Sequence, residues 1–599
     1  MRFDFLGYDL SIVYGLFDAD LENGLSVTDQ GVVVTVPIGS IPGLHEGTIT
    51  LTGDTLDFEA GTGTITGAEF RSYGIVQAEF SDIAWPVADV VAMLSEPTVA
   101  DKQSALAGLI NTSASVIMVA SAATGFFHQH NLIIDFQDQI TVPMTLDGSP
   151  VGNVLIGTFL DDRIAFTGAA TTSDVHWDAL NTVSATPGSD TITLAPGYYA
   201  GLSLRYDRFV EGLTMDVDGQ TGDGTVITTM GTDTISGLHH VLATSDLILS
   251  GSQGDDTIRV TGAGDGHVFI NGDGGSDRFE LTLDGVLGLS YGWARAGTST
   301  GIDLDLSTGQ VADNGFGGQD TIVQTPGSGY LIVEGSEAAD RMIGDDFDNL
   351  LAGMDADDTI QGGRGNDSLY GGLGDDDLHG QTGQDDLFGY DGNDRLRGGT
   401  KSDYLDGGNG DDSLAGQRHG DTLHGGSGAD TLKGGGGSDY MNGGDGDDFL
   451  KGGTYQDTLY GSYGNDTLTA NRHDDYLDGG EGDDLLLGGG GEDTLFGNWW
   501  NDTLKGGADA DLFLFDDSYG SDVILDFNAA DGDRIGLTFG LANARELSQI
   551  AADMQVMDRG TLLSFNENVE VFLTGVVDLD AAALSDTLVY WTPEGDISF

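Results

Sequence analysis

The sequence predicts a mainly β chain organised around a parallel solenoid, and three observations predict it. Residues 335–514 divide without a gap into twenty nonapeptides, and the eighth residue of every nonapeptide is apolar. Glycine supplies 97 of the 599 residues, about twice the usual share. Self-similarity at a short fixed period marks a stack of small structural units rather than an ordinary globular core.

GGRGNDSLY (Gly362 to Tyr370), GGNGDDSLA (Gly407 to Ala415) and GGSGADTLK (Gly425 to Lys433) show the unit plainly. Position one is Gly in every copy except Ala470, and position six is Asp in every copy except Asn349. Position eight runs from Met342, Leu351 and Ile360 by nines to Leu504 and Phe513. Three residues around position eight suffice for a short strand whose alternate side chains face opposite ways, so each strand sends one apolar side chain inward. Positions seven and nine then face outward and are mostly polar, as at Thr422 and His424. The six-residue G-G-x-G-x-D segment is expected to turn the chain, with glycines reaching positive φ. Two units make one coil with a strand on each side, and ten coils at about 4.8 Å each span about 45–50 Å.

One apolar residue in nine is a thin interior for a chain so rich in glycine, which loses more conformational freedom on ordering than any other residue. The array also carries 39 acidic and 10 basic residues, a net charge of −29. A hard divalent cation held by oxygen ligands offsets both the entropy and the repulsion. Ca²⁺ accepts roughly six to eight carbonyl and carboxylate oxygens in flexible geometry, whereas Mg²⁺ dehydrates reluctantly and fits carbonyl-rich loops poorly. The whole chain repeats the imbalance, with 22 Lys and Arg against 98 Asp and Glu and a net charge of −76. That charge opposes nucleic acid and anionic lipid as partners and favours cations.

There is no cysteine, which excludes disulfides and thiolate metal sites. The segment MRFDFLGYDLSIVYGLFDAD carries Asp4 and Asp9 in a short apolar run without a small-residue cleavage site, so no secretory signal peptide is expected there. The uncharged stretch from Ala105 to Phe127 is diluted by Asn111, Thr112, Ser113, Ser115, Ser121 and Thr124. It reads as a buried helix and strand rather than a membrane span, with Thr98 and Asp101 at capping-box spacing ahead of it.

The unit G-G-x-G-x-D-x-U-x, with U apolar, resembles the calcium-binding repeat of the RTX (repeats-in-toxin, haemolysin-type) proteins over residues 335–514. The resemblance implies a right-handed parallel β-roll with several Ca²⁺ ions between successive loops on its edges, held by backbone carbonyls and the position-six aspartates. Carried over residue by residue, the carboxylate ligands are Asp358, Asp367, Asp376, Asp385, Asp394, Asp403, Asp412, Asp421, Asp430, Asp439, Asp448, Asp457, Asp466, Asp475, Asp484, Asp493 and Asp502. The carbonyls are expected near Gly371, Gly389, Gly407, Gly425, Gly443, Gly461 and Gly479. The resemblance also implies export through a type I secretion ABC transporter, an extracellular location, and folding on Ca²⁺ after export. Asp596-Ile597-Ser598-Phe599 looks like the uncleaved signal of that route.

Departures from the unit divide its two edges. Along one edge position four is Gly in seven successive loops, from Gly374 by eighteens to Gly482. Along the other it includes Lys401, His419, Tyr455 and His473, with Arg418 and Arg472 beside the two histidines. The first edge is therefore expected to hold the better sites, about six between its seven loops, and the second to keep a good pair at Gly365 and Gly383; the alternative is that position four tolerates substitution and both edges bind. Asn349, Trp500 and Asp509 mark the ends, where capping copies are atypical.

Four regions are expected: a β-rich N-terminal domain over 1–150, a degenerate solenoid over 151–334, the array over 335–514, and a C-terminal cap with secretion signal over 515–599. In the second region GSQGDDTIR (Gly251 to Arg259) and GDGGSDRFE (Gly272 to Glu280) match the unit singly, with Asp256 and Asp277 as further ligand candidates. A longer duplication sets GLTMDVDGQTGDG (Gly212 to Gly224) against GIDLDLSTGQVADNG (Gly301 to Gly315). After the array, Ala510 to Leu537 resembles the segment that closes RTX arrays, followed by a helix near 542–552 and strands around 562–573.

No catalytic residue emerges. His45-Glu46 lacks the second histidine of a zinc-protease motif. Gly297-Thr298-Ser299-Thr300-Gly301 fits G-x-S-x-G only as a chain with 97 glycines often will. His128, His130 and the pair His239-His240 read as surface residues. Only Lys102 precedes Lys401, which argues against an acylated toxin domain. The expectation is a non-enzymatic extracellular calcium-binding protein. The competing expectation is a secreted enzyme or adhesin with its specificity in residues 1–334, meeting a cell surface or polysaccharide.

Overall fold

The structure, a computed structural model, describes residues 189–591 apart from short gaps, and strands alone between Phe3 and Ser184. It divides into two units, Met1–Trp293 with Gly309–Leu331, and Ala294–Thr308 with Ile332–Phe599. Nearly every described residue with regular structure is in a strand.

In the second unit each nonapeptide from the third to the nineteenth contributes a six-residue strand, such as Thr359–Arg364, Ser368–Leu373 and Asp377–Thr382. These strands are longer than expected, running through positions seven to nine and on through one to three, so that only positions four to six turn. The glycine at position one allows the extension. It lies buried without a side chain, pairing skips it (Ala352↔Tyr370, then Met354↔Gly372), and position two resumes at positive φ, 127° at Gly372. Each strand pairs in parallel with the strand two units on and in register, Leu369 on Leu387 on Leu405 in one sheet and Leu378 on Leu396 on Leu414 in the other. The two sheets face each other across an interior of position-eight side chains, all fully buried. Positions seven and nine point outward, as the spacing predicts. On the outer face of the first sheet Tyr370, Phe388, Tyr404, His424, Tyr440, Tyr460 and Tyr476 form a continuous file of rings, with centroids 5.2 to 5.9 Å apart. Such contacts add about 0.5–1.5 kcal/mol per pair beyond burial.

Both sheets continue past the last nonapeptide. Gly520–Ile524 and Arg534–Thr538 extend them in parallel, followed by Val569–Thr574 and Leu588–Trp591. Gly560–Ser564 pairs antiparallel with Val569–Thr574, where strands were expected. Phe513 meets Phe527, and Phe515 stacks on Phe565, so aromatic residues fill the closing coils. The helix expected near 542–552 lies outside the described residues except for Ile550, and residues 592–599 lie outside them too.

The first unit keeps parallel pairing with irregular coil lengths. Leu247 pairs with Val268, 21 residues on, whereas Met215 pairs with Ile258, 43 residues on. The additional residues form an antiparallel hairpin, Asp223–Thr228 with Gly231–Ser236. The duplicated sequence repeats this device, because Gln310–Asn314 pairs antiparallel with Asp320–Thr325. Further upstream, Gly31–Val36, Gly47–Asp57, Thr62–Ser72 and Ile75–Ser81 form an antiparallel meander. Parallel pairing begins with Val116–Val119 against Met144–Gly148. Among the described residues no helix is long and apolar enough to cross a membrane.

Candidate metal-binding edges

Positions four to six turn the chain at both edges of the array, and the turn aims the position-six side chain inward. These aspartates are at most 4% exposed. Their carboxylates form two continuous ladders. On the first edge the N–H of Asp358 donates to Oδ1 of Asp376 (2.7 Å), that of Asp376 to Asp394 (2.8 Å), and so on through Asp412, Asp430, Asp448, Asp466 and Asp484 to Asp502. On the second edge the same bond links Asp367, Asp385, Asp403, Asp421, Asp439, Asp457, Asp475 and Asp493 to Asp511. All seventeen aspartates singled out from the spacing stand in these ladders.

The other oxygen is the informative one. Oδ2 of every aspartate from Asp358 by nines to Asp511 is buried and accepts no hydrogen bond. A buried carboxylate oxygen without a donor is costly, so such rows call for a positive partner. The position-one glycine faces this oxygen: a Cβ on Gly371 would overlap Oδ2 of Asp376 and lie 2.9 Å from the carbonyl oxygen of Gly389. A Cβ on Gly407 would likewise overlap Oδ2 of Asp412 and lie 2.6 Å from the carbonyl oxygen of Gly425. In this way the carbonyls of Gly371, Gly389, Gly407, Gly425, Gly443 and Gly479 each share a side-chain-free space with an orphaned carboxylate oxygen of the preceding coil.

Burial, ahead of all other causes, raises the pKa of these groups. It pushes Asp412, Asp421, Asp475 and Asp484 up to about 8 against an ordinary 3.8, while the ladder N–H and the neighbouring acids pull in opposite directions. Asp394, Asp430 and Asp466 are pushed to about 6. Left without a cation, a row of such groups resists ionisation at neutral pH.

Elsewhere the protein satisfies the same carboxylate itself. Ser252 donates from its N–H (2.5 Å) and its hydroxyl (2.6 Å) to Asp256, and Ser336 does the same for Asp340 (2.6 and 2.8 Å). Tyr206 donates its hydroxyl to Oδ2 of Asp233 at 2.6 Å. Of the two upstream acids singled out, Asp256 is therefore closed by a serine, whereas Oδ2 of Asp277 is buried without a partner. The ladders also extend to residues the nine-residue count missed: Asp502 donates to Asp522 (3.0 Å) and Asp511 to Asp533 (3.1 Å). Asp511 was legible as position six of the twentieth copy. Asp522 and Asp533 fall 20 and 22 residues on, where the period breaks.

The inner carboxylates do not distinguish the edges; the loops outside them do. On the first edge the position-four N–H donates to a carbonyl of the next coil, as Gly410 to Ser427 (2.7 Å) and Gly428 to Asp445 (2.7 Å). Gly410 has φ of 127°, and a Cβ there would overlap the Gly392 carbonyl, so only glycine fits. On the second edge Lys401 and Tyr455 hold φ of 77° and 81°, and their N–H groups donate to Nδ1 of His419 (3.1 Å) and His473 (3.0 Å). A second, outer ladder at position five joins Asp357, Asp375, Asn393 and Asp411 on the first edge, and again Asp447, Asn465, Asp483 and Asn501. On the second edge the same bonds join Asp348, Asn366 and Gln384, and Asp474 with Glu492, but Ser402, Gly420, Ser438 and Gln456 interrupt the ladder between them.

Among the described residues no point gathers three or more His, Cys, Asp or Glu side chains. A cation at these edges must therefore draw most of its ligands from main-chain carbonyls. An oxygen-only donor set of carboxylate and carbonyls fits Ca²⁺ and suits neither zinc nor copper. His45, His128, His130, His239, His240 and Ser299 lie outside the described residues, so no catalytic arrangement is built from them.

Comparison with known proteins agrees with this chemistry. The model of the RTX calcium-binding nonapeptide repeat (4 copies) matches residues 334–360, 352–387, 388–418, 416–450, 451–486 and 478–513. No curated protein matches the chain. Among solved structures, the extracellular lipase LipA from Serratia marcescens is similar at 17% identity over 45% of this chain and 44% of that one, with a TM-score of 0.16. The chain thus spans less than half of that lipase, and a likeness of this degree carries no argument about activity. What the ladders and the matched repeats together identify in residues 334–513 is an array of calcium-binding repeats of the RTX type.

Proposed function

We propose that the chain is an extracellular protein whose array folds on binding Ca²⁺ after export through a type I ABC transporter. The observation that supports this best is the double row of buried Oδ2 atoms without donors, seventeen from Asp358 to Asp502 and one more at Asp511. Those oxygens and the carbonyls of Gly371, Gly389, Gly407, Gly425, Gly443, Gly461 and Gly479 are the groups that would hold the ions. Bound Ca²⁺ supplies the positive charge that the rows lack. The chain's own part is to bring each carboxylate and the next coil's carbonyl to one side-chain-free space, which only the folded coil does. Binding that requires the folded state stabilises it by mass action. Where free calcium is scarce the array stays open and fit for transport; outside it closes. The first edge, with its glycines and outer ladder, carries the stronger sites.

The regions 1–150, 151–334, 335–514 and 515–599 then act as N-terminal domain, solenoid extension, calcium array and closing cap. Far-ultraviolet circular dichroism of the chain during a calcium titration from chelator tests the coupling. A large cooperative gain of β signal supports it, and a signal indifferent to calcium removes it. Turnover of polysaccharide, lipid ester or peptide by the full chain would assign residues 1–334 to an enzyme instead, and saturable binding without turnover to an adhesin.

A further inference from the structure

The charges left outside the ladders are sorted by side. All ten basic residues of the array lie in strands of the second sheet or in the turns that follow them: Arg341, Arg364, Arg395, Arg397, Lys401, Arg418, Lys433, Lys451, Arg472 and Lys505. The first sheet and its turns hold none. From Arg395 to Gln456 the second side carries six of these bases and no acid other than the buried position-six aspartates. Lys401, Arg418, Lys433 and Lys451 are exposed there.

The first edge is the converse. Asp355, Asp375, Asp391, Asp445, Glu481 and Asp483 are exposed on it with no base among them. Those at position three, Asp355, Asp391, Asp445 and Glu481, take no part in the inner carboxylate ladder, so holding the inner ladder together does not account for them. Both files ride on the same coils, so the position-three acids stand at whole multiples of one coil rise, with Leu373, Asn409, Ser427 and Tyr463 uncharged between them.

We propose that the acidic edge of one chain docks on the basic side of a second copy. Opposite charges on two sides of one body give orientation, and like edges repel. The contact joins two different surfaces, so it builds rings or open rows of copies and not a two-fold pair. A free polyanion would use the basic side alone and leave the exposed carboxylates of Asp355, Asp445 and Glu481 outside the contact. The proposal rests on the array being folded by calcium, so the test is run in millimolar calcium with the β signal recorded for every variant.

Sedimentation velocity of the full chain should show mass rising with concentration at about 50 mM salt, and association weakened at least about tenfold at about 500 mM. The triple variant R418E/K433E/K451E, and separately D391K/D445K/E481K, should each stay monomeric, and mixing the two should restore association. Milder glutamine versions of both triples should rank in the same order. A wild-type chain monomeric throughout, or association that survives both reversals, would overturn the proposal. Binding of heparin to the basic side by a chain that never self-associates would overturn it in favour of a polyanion. Loss of the calcium-dependent β signal in the wild type would instead strike the calcium reading.

Discussion

Replacing Asp412, Asp430 and Asp448 together by asparagine tests the first edge while sparing its shape. Asparagine keeps an oxygen to accept the ladder N–H, which Asp412 now takes from Asp394 at 2.7 Å. It puts an amide N–H₂ where the orphaned Oδ2 stood, so three successive spaces, two of them shared with the carbonyls of Gly425 and Gly443, lose their negative charge. Three ions should be lost. An ion at a hundred times its dissociation constant stabilises the fold by about 2.7 kcal/mol, so the triple should cost about 8 kcal/mol in calcium. The matched triple Asp403, Asp421 and Asp457 to asparagine removes as many buried carboxylates from the second edge. There the loops open with Lys401, His419 and Tyr455, and a histidine ring already holds the backbone at two of them. That triple should lose about one ion at most, with a correspondingly smaller change. Equilibrium dialysis gives the ion count, and urea unfolding in calcium gives the stability. Equal ion losses from the two triples would refute the difference between edges, although not calcium binding itself.

Acid should partly replace calcium. The folded aspartates titrate at about 6 to 8 and the unfolded ones at 3.8, so the calcium-free fold gains protons on forming. That contribution is fully present below about pH 4 and is lost as pH rises through about 8. In chelator, therefore, the β signal should be greater at about pH 5 than at about pH 8, and the reverse order would contradict the burial argument. Gly407→Ala should lower calcium-loaded stability by about 1–3 kcal/mol, because its Cβ has no room beside Asp412 and the Gly425 carbonyl. Ala470→Gly, at the one copy that already bears a side chain at position one, should lose no stability in the same thermal melt.

The parallel coils, their 18-residue period and the inward position eight were all legible, because one strict period fixes which residues stack. So was the row of acids at position six. The strand length was not. Counting G-G-x as turn assumes that glycine interrupts a strand, whereas here Gly371 is buried and strand pairing resumes at Gly372. The distinction between open and closed carboxylates was also hidden, since Asp256 and Asp358 have the same spacing and differ only in whether a serine donor such as Ser252 folds back on them. Spacing alone shows Ser462 in the same position two, yet at φ of 85° it leaves Oδ2 of Asp466 unpartnered. Asp522 and Asp533 escaped notice because the ladder follows space after the nine-residue count has ended. The segregation of the ten bases needed only the assignment of each copy to a sheet, which the period supplies once the direction of the coil is known.

Hydrogen exchange read by mass spectrometry on peptides from residues 335–514 tests the central claim most directly, since it follows the ladder amides of Asp358 to Asp502 themselves. In chelator at neutral pH those amides should exchange at the rate of an open chain, and in millimolar calcium they should become protected together along both edges. Protection that is already complete in chelator and unchanged by calcium would contradict the account.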